Sequence, residues 1–425
     1  MPSMTSDPSP AVQECPDCGL LERVPEPPAG HTASCSRCGA VLWRRRREPS
    51  ERALAVDAAA LVCYLLLVST PLIGVVVGGH QRNTIVEALP RGFEQAGMPL
   101  VAALVLGTAI VAPLVSIALA ILVLGGSRRP ARPALLGQLA RLRNATAVWS
   151  MPEVLLLGLF VAYTRLGAIA PVRVGAAAFA LGGLVLAKVA SQALLDERAV
   201  WERILPSRPP RPGRRAISCT SCELLADAAE GSPCPRCGAP LHRRRPGSVA
   251  RSWAFLIAAA ALYGPANFLP IMSVTRLAKT QAPTILGGAK ELLDAGMWPL
   301  ALLVFVASIC IPVFKIVALV ALLLGIQLGA RGRLVARTRL YRFVDLIGRW
   351  SMIDVFMISI LTAIVQMGAL AKITPLAGAP CFAAVVVLTM LAAASFDPRL
   401  MWDAAGRNEA AARPAAAPHD ERVPA

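Results

Sequence analysis

Eight apolar stretches, each long enough to cross a hydrocarbon layer of roughly 30 Å, constrain this chain more than any other feature. They lie at about 53–78, 98–124, 147–169 and 174–195, and again at 252–275, 298–328, 350–372 and 379–396. Lipid offers no water to bond a bare peptide group, so such segments must be helices that satisfy their own N–H and C=O groups. The expected fold class is an all-α polytopic membrane protein. Composition agrees, with 56% hydrophobic and 16% charged residues, far from a soluble globular average.

The stretches fall into two groups of four, each preceded by a short segment with four cysteines, and the groups are copies. Trp149-Ser150-Met151 returns as Trp350-Ser351-Met352, Ala96-Gly97-Met98 as Ala295-Gly296-Met297, and Pro113 as Pro312, all at nearly one offset. Asp196-Glu197-Arg198 with Trp201 returns as Asp397-Pro398-Arg399 with Trp402. An even number of crossings leaves both copies facing the same way, so two parallel repeats are expected. The domains read as a disordered N-terminus (1–14), a zinc ribbon (15–43), a four-helix membrane domain (53–200) and a Pro/Arg-rich linker (201–216). A second ribbon (217–243), a second membrane domain (252–403) and a disordered tail (404–425) follow.

Basic residues set the orientation, because short cytoplasmic loops carry excess Lys and Arg. Arg44 to Arg47 precede the first span, and Arg128, Arg129, Arg132, Arg141 and Arg143 lie between the second and third. The second copy repeats this with Arg243 to Arg245, then Arg331, Arg333, Arg337, Arg339 and Arg342. The loop from His80 to Gly97 balances Arg82 and Arg91 with Glu87 and Glu94 and belongs outside. Both termini, both cysteine modules and the linker are therefore expected in the cytoplasm. The first forty residues are polar and carry four cysteines, which fits an N-terminus retained there. The formal charge of +17 sits in clusters beside apolar runs, which serves membrane orientation rather than nucleic-acid binding.

Of eleven cysteines, eight form CxxC pairs. The first module holds Cys15, Cys18, Cys35 and Cys38, and the second Cys219, Cys222, Cys234 and Cys237. Two knuckles that each aim two thiolates at one point suit a tetrahedral zinc ion, and a closed four-cysteine site serves structure, not catalysis. Modules this poor in large apolar residues would fold on metal binding. A rubredoxin-like iron centre and dithiol redox chemistry are the rival readings. Cys63, Cys310 and Cys381 sit singly in apolar segments and receive no role.

Ionisable groups at membrane depth are costly and pair or face a cavity. In the second copy, Ser308 and Lys315 share a helix face two turns apart, Ser351 and Asp354 lie one turn apart on the next helix, and Thr389 is on the last. A Lys315–Asp354 pair is expected. It either fixes helix packing or forms part of a polar network that switches between two states during transport. The first copy offers a weaker pair, Glu153 with Lys188. Prolines 71, 113, 270 and 312 are expected to interrupt helices. The segment Thr284 to Gly296 reads as an interfacial helix or a loop. No nucleophile triad, P-loop or dinucleotide fingerprint is present, so no enzyme activity is expected.

The chain resembles the paraquat-inducible protein A family of bacterial inner-membrane proteins. The likeness rests on the two CxxC modules, the run Pro265-Ala266-Asn267-Phe268-Leu269-Pro270-Ile271-Met272, and Gly348-Arg349-Trp350-Ser351-Met352 with Asp354-Val355-Phe356. Ser395-Phe396-Asp397-Pro398-Arg399 with Trp402 completes it. The first copy departs from these motifs, with Val68-Ser69-Thr70-Pro71 in place of the Asn-containing run. The resemblance implies a subunit of an intermembrane phospholipid transport system, working with a periplasm-spanning MCE-domain protein to maintain the envelope. A non-transporting anchor for that partner and a redox or stress-response protein are the alternatives.

Overall fold

A computed structural model describes residues 11–46, 50–77, 80–128, 135–167, 171–207, 216–276, 279–364 and 371–406. Residues 1–10, 208–215 of the expected linker, the tail from 407, and Arg47, Arg129 and Arg132 lie outside the described residues. Among the described residues eight helices are long and apolar enough to cross a membrane. They are α1 (Glu51–Ser69), α2 (Pro99–Gly126), α3 (Leu136–Gly167), α4 (Ala176–Leu194), α5 (Ser248–Phe268), α6 (Trp298–Gln327), α7 (Leu334–Ile364) and α8 (Gly378–Ser395). Within each half the first and fourth helices pack together, α1 on α4 and α5 on α8, while α3 and α7 join the halves through one buried core.

The all-α expectation is corrected to a mostly helical chain that carries, besides the short sheets of the cysteine modules, two three-stranded sheets between its spanning helices. Ile73–Val77 pairs antiparallel with His80–Thr84 and with Val172–Val174, and Met272–Arg276 pairs likewise with Lys279–Gln281 and Ala371–Pro375. Pro71 and Pro270 cause this. Each comes directly after a spanning helix that it stops, since proline lacks an N–H and disfavours α geometry in the residue before it. The β-branched residues beyond each proline then favour strand. These two prolines therefore end helices rather than kink them, and the apolar runs to 78, 275 and 372 include strand as well as helix. Each half returns to its fourth helix through a glycine that lies on the same proline turn. A Cβ at Gly175 would stand 2.0 Å from the Pro71 carbonyl oxygen, and one at Gly378 would stand 2.7 Å from that of Pro270.

Pro113 and Pro312 do act inside helices. Just ahead of each the helix widens into a π turn, Gly107–Val111 in α2 and Val306–Cys310 in α6, where Ala112 N–H bonds Gly107 and Ile311 N–H bonds Val306. Such turns accommodate the carbonyls that proline leaves unbonded. Both third helices also begin earlier than hydropathy suggests. Arg141 and Arg143 belong to α3, and Arg337, Arg339 and Arg342 to α7, so these arginines stand on helices that extend past the apolar region. Each helix is interrupted at its Trp-Ser-Met motif, as a 3-10 turn over Gly348–Met352 in α7.

The cysteine modules are small antiparallel ribbons, and they cross over. The core of the N-terminal ribbon packs on the second half, against Leu319, Leu322 and Leu323 of α6, Val344 of α7, and Trp402. The ribbon over 217–241 packs on the first half, against Ala53 of α1, Val123 and Leu124 of α2, Leu136 of α3, and Trp201. Asp17 joins Arg342 at 2.6 Å, and Glu14 meets Arg244 at 3.1 Å and Arg399 at 3.3 Å. Arg37 lies 4.6 Å over the Trp402 ring. On the other side, Arg236 pairs with Glu202 at 3.3 Å. The ribbons touch where Gln13 Nε2 donates to Glu223 at 2.6 Å, and Arg198 donates to Gln13 Oε1 at 2.8 Å.

The second ribbon lies so close to α3 that a Cβ at Gly137 would fall 1.9 Å from the Arg236 carbonyl oxygen. Gly137→Ala is therefore expected to lift this ribbon from the first half at a cost of about 3 kcal/mol. Faster amide exchange in Glu197–Ile204 would show it. Unchanged exchange would contradict the contact.

Candidate functional site

Two constellations stand out, the cysteine clusters and a buried polar group centred on α7. In each cluster the four Sγ atoms lie within 4.8 Å of one another. Cys15 and Cys38 lie 3.5 Å apart and Cys18 and Cys35 3.6 Å in the first, and Cys219–Cys237 and Cys222–Cys234 are each 3.6 Å in the second. A tetrahedral ion with 2.3 Å bonds to sulfur has edges of about 3.8 Å, so the donor set fits zinc. All eight thiols are buried without disulfides, and four thiolates this close need a cation between them.

The knuckles share one backbone. Cys15, Cys35, Cys219 and Cys234 each donate an N–H to the carbonyl five residues on, at 2.7 to 2.9 Å. The turn demands a positive φ, supplied by Gly19, Gly39 and Gly238 but by Glu223 in the third knuckle, where φ is 58°. Glu223 tolerates that geometry while joined to Gln13, and its burial raises the carboxyl above the usual range. Arg37 and Arg236 each reach across their ribbon to the carbonyl of the opposite knuckle, at Cys18 and Cys222.

The Asp397-Pro398-Arg399 motif is the dock for the first ribbon. Asp397 is 1% exposed and accepts bonds from Arg399 Nε and Nη2, each at 3.0 Å, and from the Arg245 N–H at 3.0 Å. Arg399 in turn holds Glu14. Burial alone would raise the Asp397 carboxyl, but the Arg399 guanidinium and these donors hold it below the usual range. The stabilisation is thus present above the unfolded carboxyl pKa and is lost as pH falls through the lower folded value. Asp397→Asn is expected to cost about 3 kcal/mol by leaving the buried Arg399 with Glu14 as its one carboxylate partner among the described residues. A detergent-phase melting curve matching that of the wild type would refute it.

The buried polar group departs from its expected wiring. Ser308, Lys315, Ser351, Asp354 and Thr389 are all buried, but Lys315 and Asp354 form no ion pair. The Ser308 hydroxyl, set on the π turn of α6, donates to the Asp354 carboxylate and lies 2.6 Å from the Val304 carbonyl. Lys315 Nζ instead reaches the Gly348 carbonyl at 3.5 Å, in the 3-10 turn on which α6 and α8 both pack. Thr389 bonds its own helix at Val386, 2.9 Å away, and the Ser351 hydroxyl has no partner among the described residues. The reason is register. The carboxylate faces the π turn, while the lysine lies seven residues further along α6, beside the carbonyls that the 3-10 turn exposes.

The cation facing Asp354 is Arg165 from α3 of the other half, which lines the same small cavity. The first-half pair does form. Lys188 Nζ lies 3.3 Å from Glu153 and 3.2 Å from the Ser150 hydroxyl, and Arg349 of α7 approaches Glu153 at 3.5 Å. Sequence reasoning missed Asp57, buried in α1 with one unbonded carboxylate oxygen, in a cavity of about 50 Å³ shared with Lys188, Ser150 and Ser191. An acid inside an apolar window was the available signal. Arg165, at the end of an apolar run, reads from sequence as an ordinary end charge. The Thr284 to Gly296 segment holds a helix, Ile285–Asp294, with Thr284 capping Gly287 N–H at 3.2 Å.

The sequence model of the family described as Paraquat-inducible protein A matches twice, over residues 50–205 and 249–406. The chain belongs to that family. It is 33% identical over 399 residues to the Escherichia coli K12 protein named intermembrane transport protein PqiA, covering 92% of this chain and 95% of that one. It is 31% identical to the E. coli K12 lipophilic envelope-spanning tunnel protein A, over 92% of this chain and 91% of the relative. A Haemophilus influenzae protein named probable intermembrane transport protein is 30% identical over 49% of this chain and 52% of its own length. No solved structure matches. The two family segments exclude the ribbons and coincide with the two sets of four helices.

Proposed function

We propose that this chain is a multi-pass subunit of the bacterial inner membrane that moves phospholipids between membranes with an MCE-domain periplasmic protein. The observation that carries this reading is its near-full-length relation to proteins named for intermembrane transport. In this reading the halves are parallel repeats, and both termini and both ribbons are cytoplasmic. Each ribbon holds one structural zinc ion through its four cysteines. The ribbons (15–43 and 217–243) and the membrane domains (53–200 and 252–403) are its units, joined by a linker at 201–216; residues 11–14, expected to be disordered, instead form the strand Ala11–Glu14 paired with Leu21–Val24 of the first ribbon. Arginines on the ribbon-side ends of α3 and α7 support that orientation.

Ser308, Lys315, Ser351, Asp354 and Thr389 form the polar group that changes state during transport, and Glu153 with Lys188 braces the first half. Asp354 and Lys315 are placed to act separately, one at the π turn and one at the 3-10 turn. These are the two places where backbone bonding is already irregular and least costly to rearrange. No nucleotide motif is present, so a proton or lipid gradient supplies the energy. A non-transporting anchor is the second reading, favoured by the own-helix bond of Thr389. Envelope integrity in a deletion strain, together with lipid transfer by the reconstituted protein and its partner, tests the choice. Restored integrity without transfer would select the anchor.

A further inference from the structure

At the end of the helices away from the ribbons, two cavities meet at Arg165. The outer one, of about 510 Å³, has apolar walls that include Met272, Val274, Leu292, Leu361 and Ile373. Glu291 stands at the same cavity. The inner one, of about 30 Å³, leads to Asp354. All residues lining either cavity belong to the second half except Arg165 and its neighbour Leu166, so the first half supplies the cation.

That cation is short of acceptors. Its Nε is buried and unbonded, and among the described residues no carboxylate closes an ion pair on it, although Asp354 and Glu291 act on it across the cavities. The guanidinium lies over Gly288, where a Cβ would stand 3.6 Å from it. An arginine cannot shed its charge by losing a proton, so a guanidinium held this way is a site for an anion. Its planar fork suits the two free oxygens of a phosphodiester.

We propose that this pocket binds the headgroup of a zwitterionic phospholipid, with Arg165 on the phosphodiester, Glu291 on the ammonium, and the acyl chains along the apolar wall. A doubly charged free phosphate fits less well, because Glu291 would repel it and the apolar wall would gain nothing. The volume falls in the range of small-molecule sites. This inference rests on the lipid-transport reading and gives that cargo a place to bind. It also gives the first half a part in the site beyond scaffolding.

The test uses full-length protein in detergent, incubated with phosphatidylethanolamine or phosphatidylglycerol, with bound lipid counted by native mass spectrometry. Arg165→Gln is expected to lower retention of both lipids by about tenfold, and Arg165→Lys to restore part of it. Glu291→Gln is expected to shift the ratio toward phosphatidylglycerol. Gly288→Leu fills the space beside the guanidinium without removing its charge and is expected to act like Arg165→Gln. Two metal ions per chain and an unchanged melting point certify the fold of each variant. Wild-type retention by Arg165→Gln overturns the site, as does displacement of lipid by millimolar inorganic phosphate. Wild-type protein that binds phosphatidylethanolamine through Arg165 but transfers none would refute the transport reading and leave the site standing.

Discussion

Lys315→Met is expected to abolish lipid transfer while leaving the protein as stable as the wild type or more so. Lys315 is 0% exposed, and its one hydrogen bond among the described residues is to the Gly348 carbonyl at 3.5 Å. A buried charge with so little compensation costs folding free energy, and replacing such groups by apolar isosteres is neutral or stabilising by about 1–4 kcal/mol. Packing therefore gives no reason for a lysine here, whereas a residue that exchanges partners between two states does. Asp354→Asn makes the matching case, because the amide keeps the shape and can still accept from Ser308 while the charge facing Arg165 disappears. Its expected effect is also loss of transfer with a melting point close to that of the wild type. The measurements are reconstituted lipid transfer and a detergent-phase melt on the same preparations. Full activity of Lys315→Met would remove the switching role, and a large drop in its stability would return Lys315 to helix packing.

Changing both Cys35 and Cys38 to serine is expected to halve the bound metal and to loosen the second half, not the first. Apparent binding free energies of structural zinc are about 10–16 kcal/mol, so a ribbon without its ion unfolds. Its loss uncovers the surface at Leu319, Leu322, Val344 and Trp402. Amide exchange in Arg399–Ala404 and at the start of α7 should rise by about tenfold or more, and α1, next in sequence, should change little. The equivalent change at Cys234 and Cys237 should expose Trp201 and the start of α3. Loosening confined to the half that comes after each ribbon in sequence would refute the crossed arrangement.

Much of the fold was legible because it depends on local composition. A run of apolar residues of spanning length must be a helix in lipid, whatever surrounds it. The strands escaped because Ile73-Gly74-Val75-Val76-Val77 is as apolar as the helix before it, and hydropathy cannot separate helix from strand in a short run. Pro71 and Pro270 were visible, but whether a proline kinks a helix or ends it depends on the residues after it. The burial of Ser308, Lys315, Ser351, Asp354 and Thr389 was legible from their cost at membrane depth, whereas their wiring was not. Ser308 meets Asp354 because a π turn rotates α6, and Lys315 misses it because a 3-10 turn offers a carbonyl first.

The sequence alone determined the number of spanning helices, the duplication, the two four-cysteine sets and the residues too polar for their surroundings. Each of these depends on spacing and side-chain type within a few turns of chain. Only the tertiary structure decided that the ribbons trade halves, that Arg165 of the first half faces Asp354 of the second, and that Arg349 braces Glu153 across the interface. The contacts of Arg165 and Arg349 join residues more than a hundred positions apart. They depend on the docking of surfaces that the duplication left alike, and two similar surfaces allow either partner until charges such as Asp17 with Arg342 and Arg236 with Glu202 choose between them.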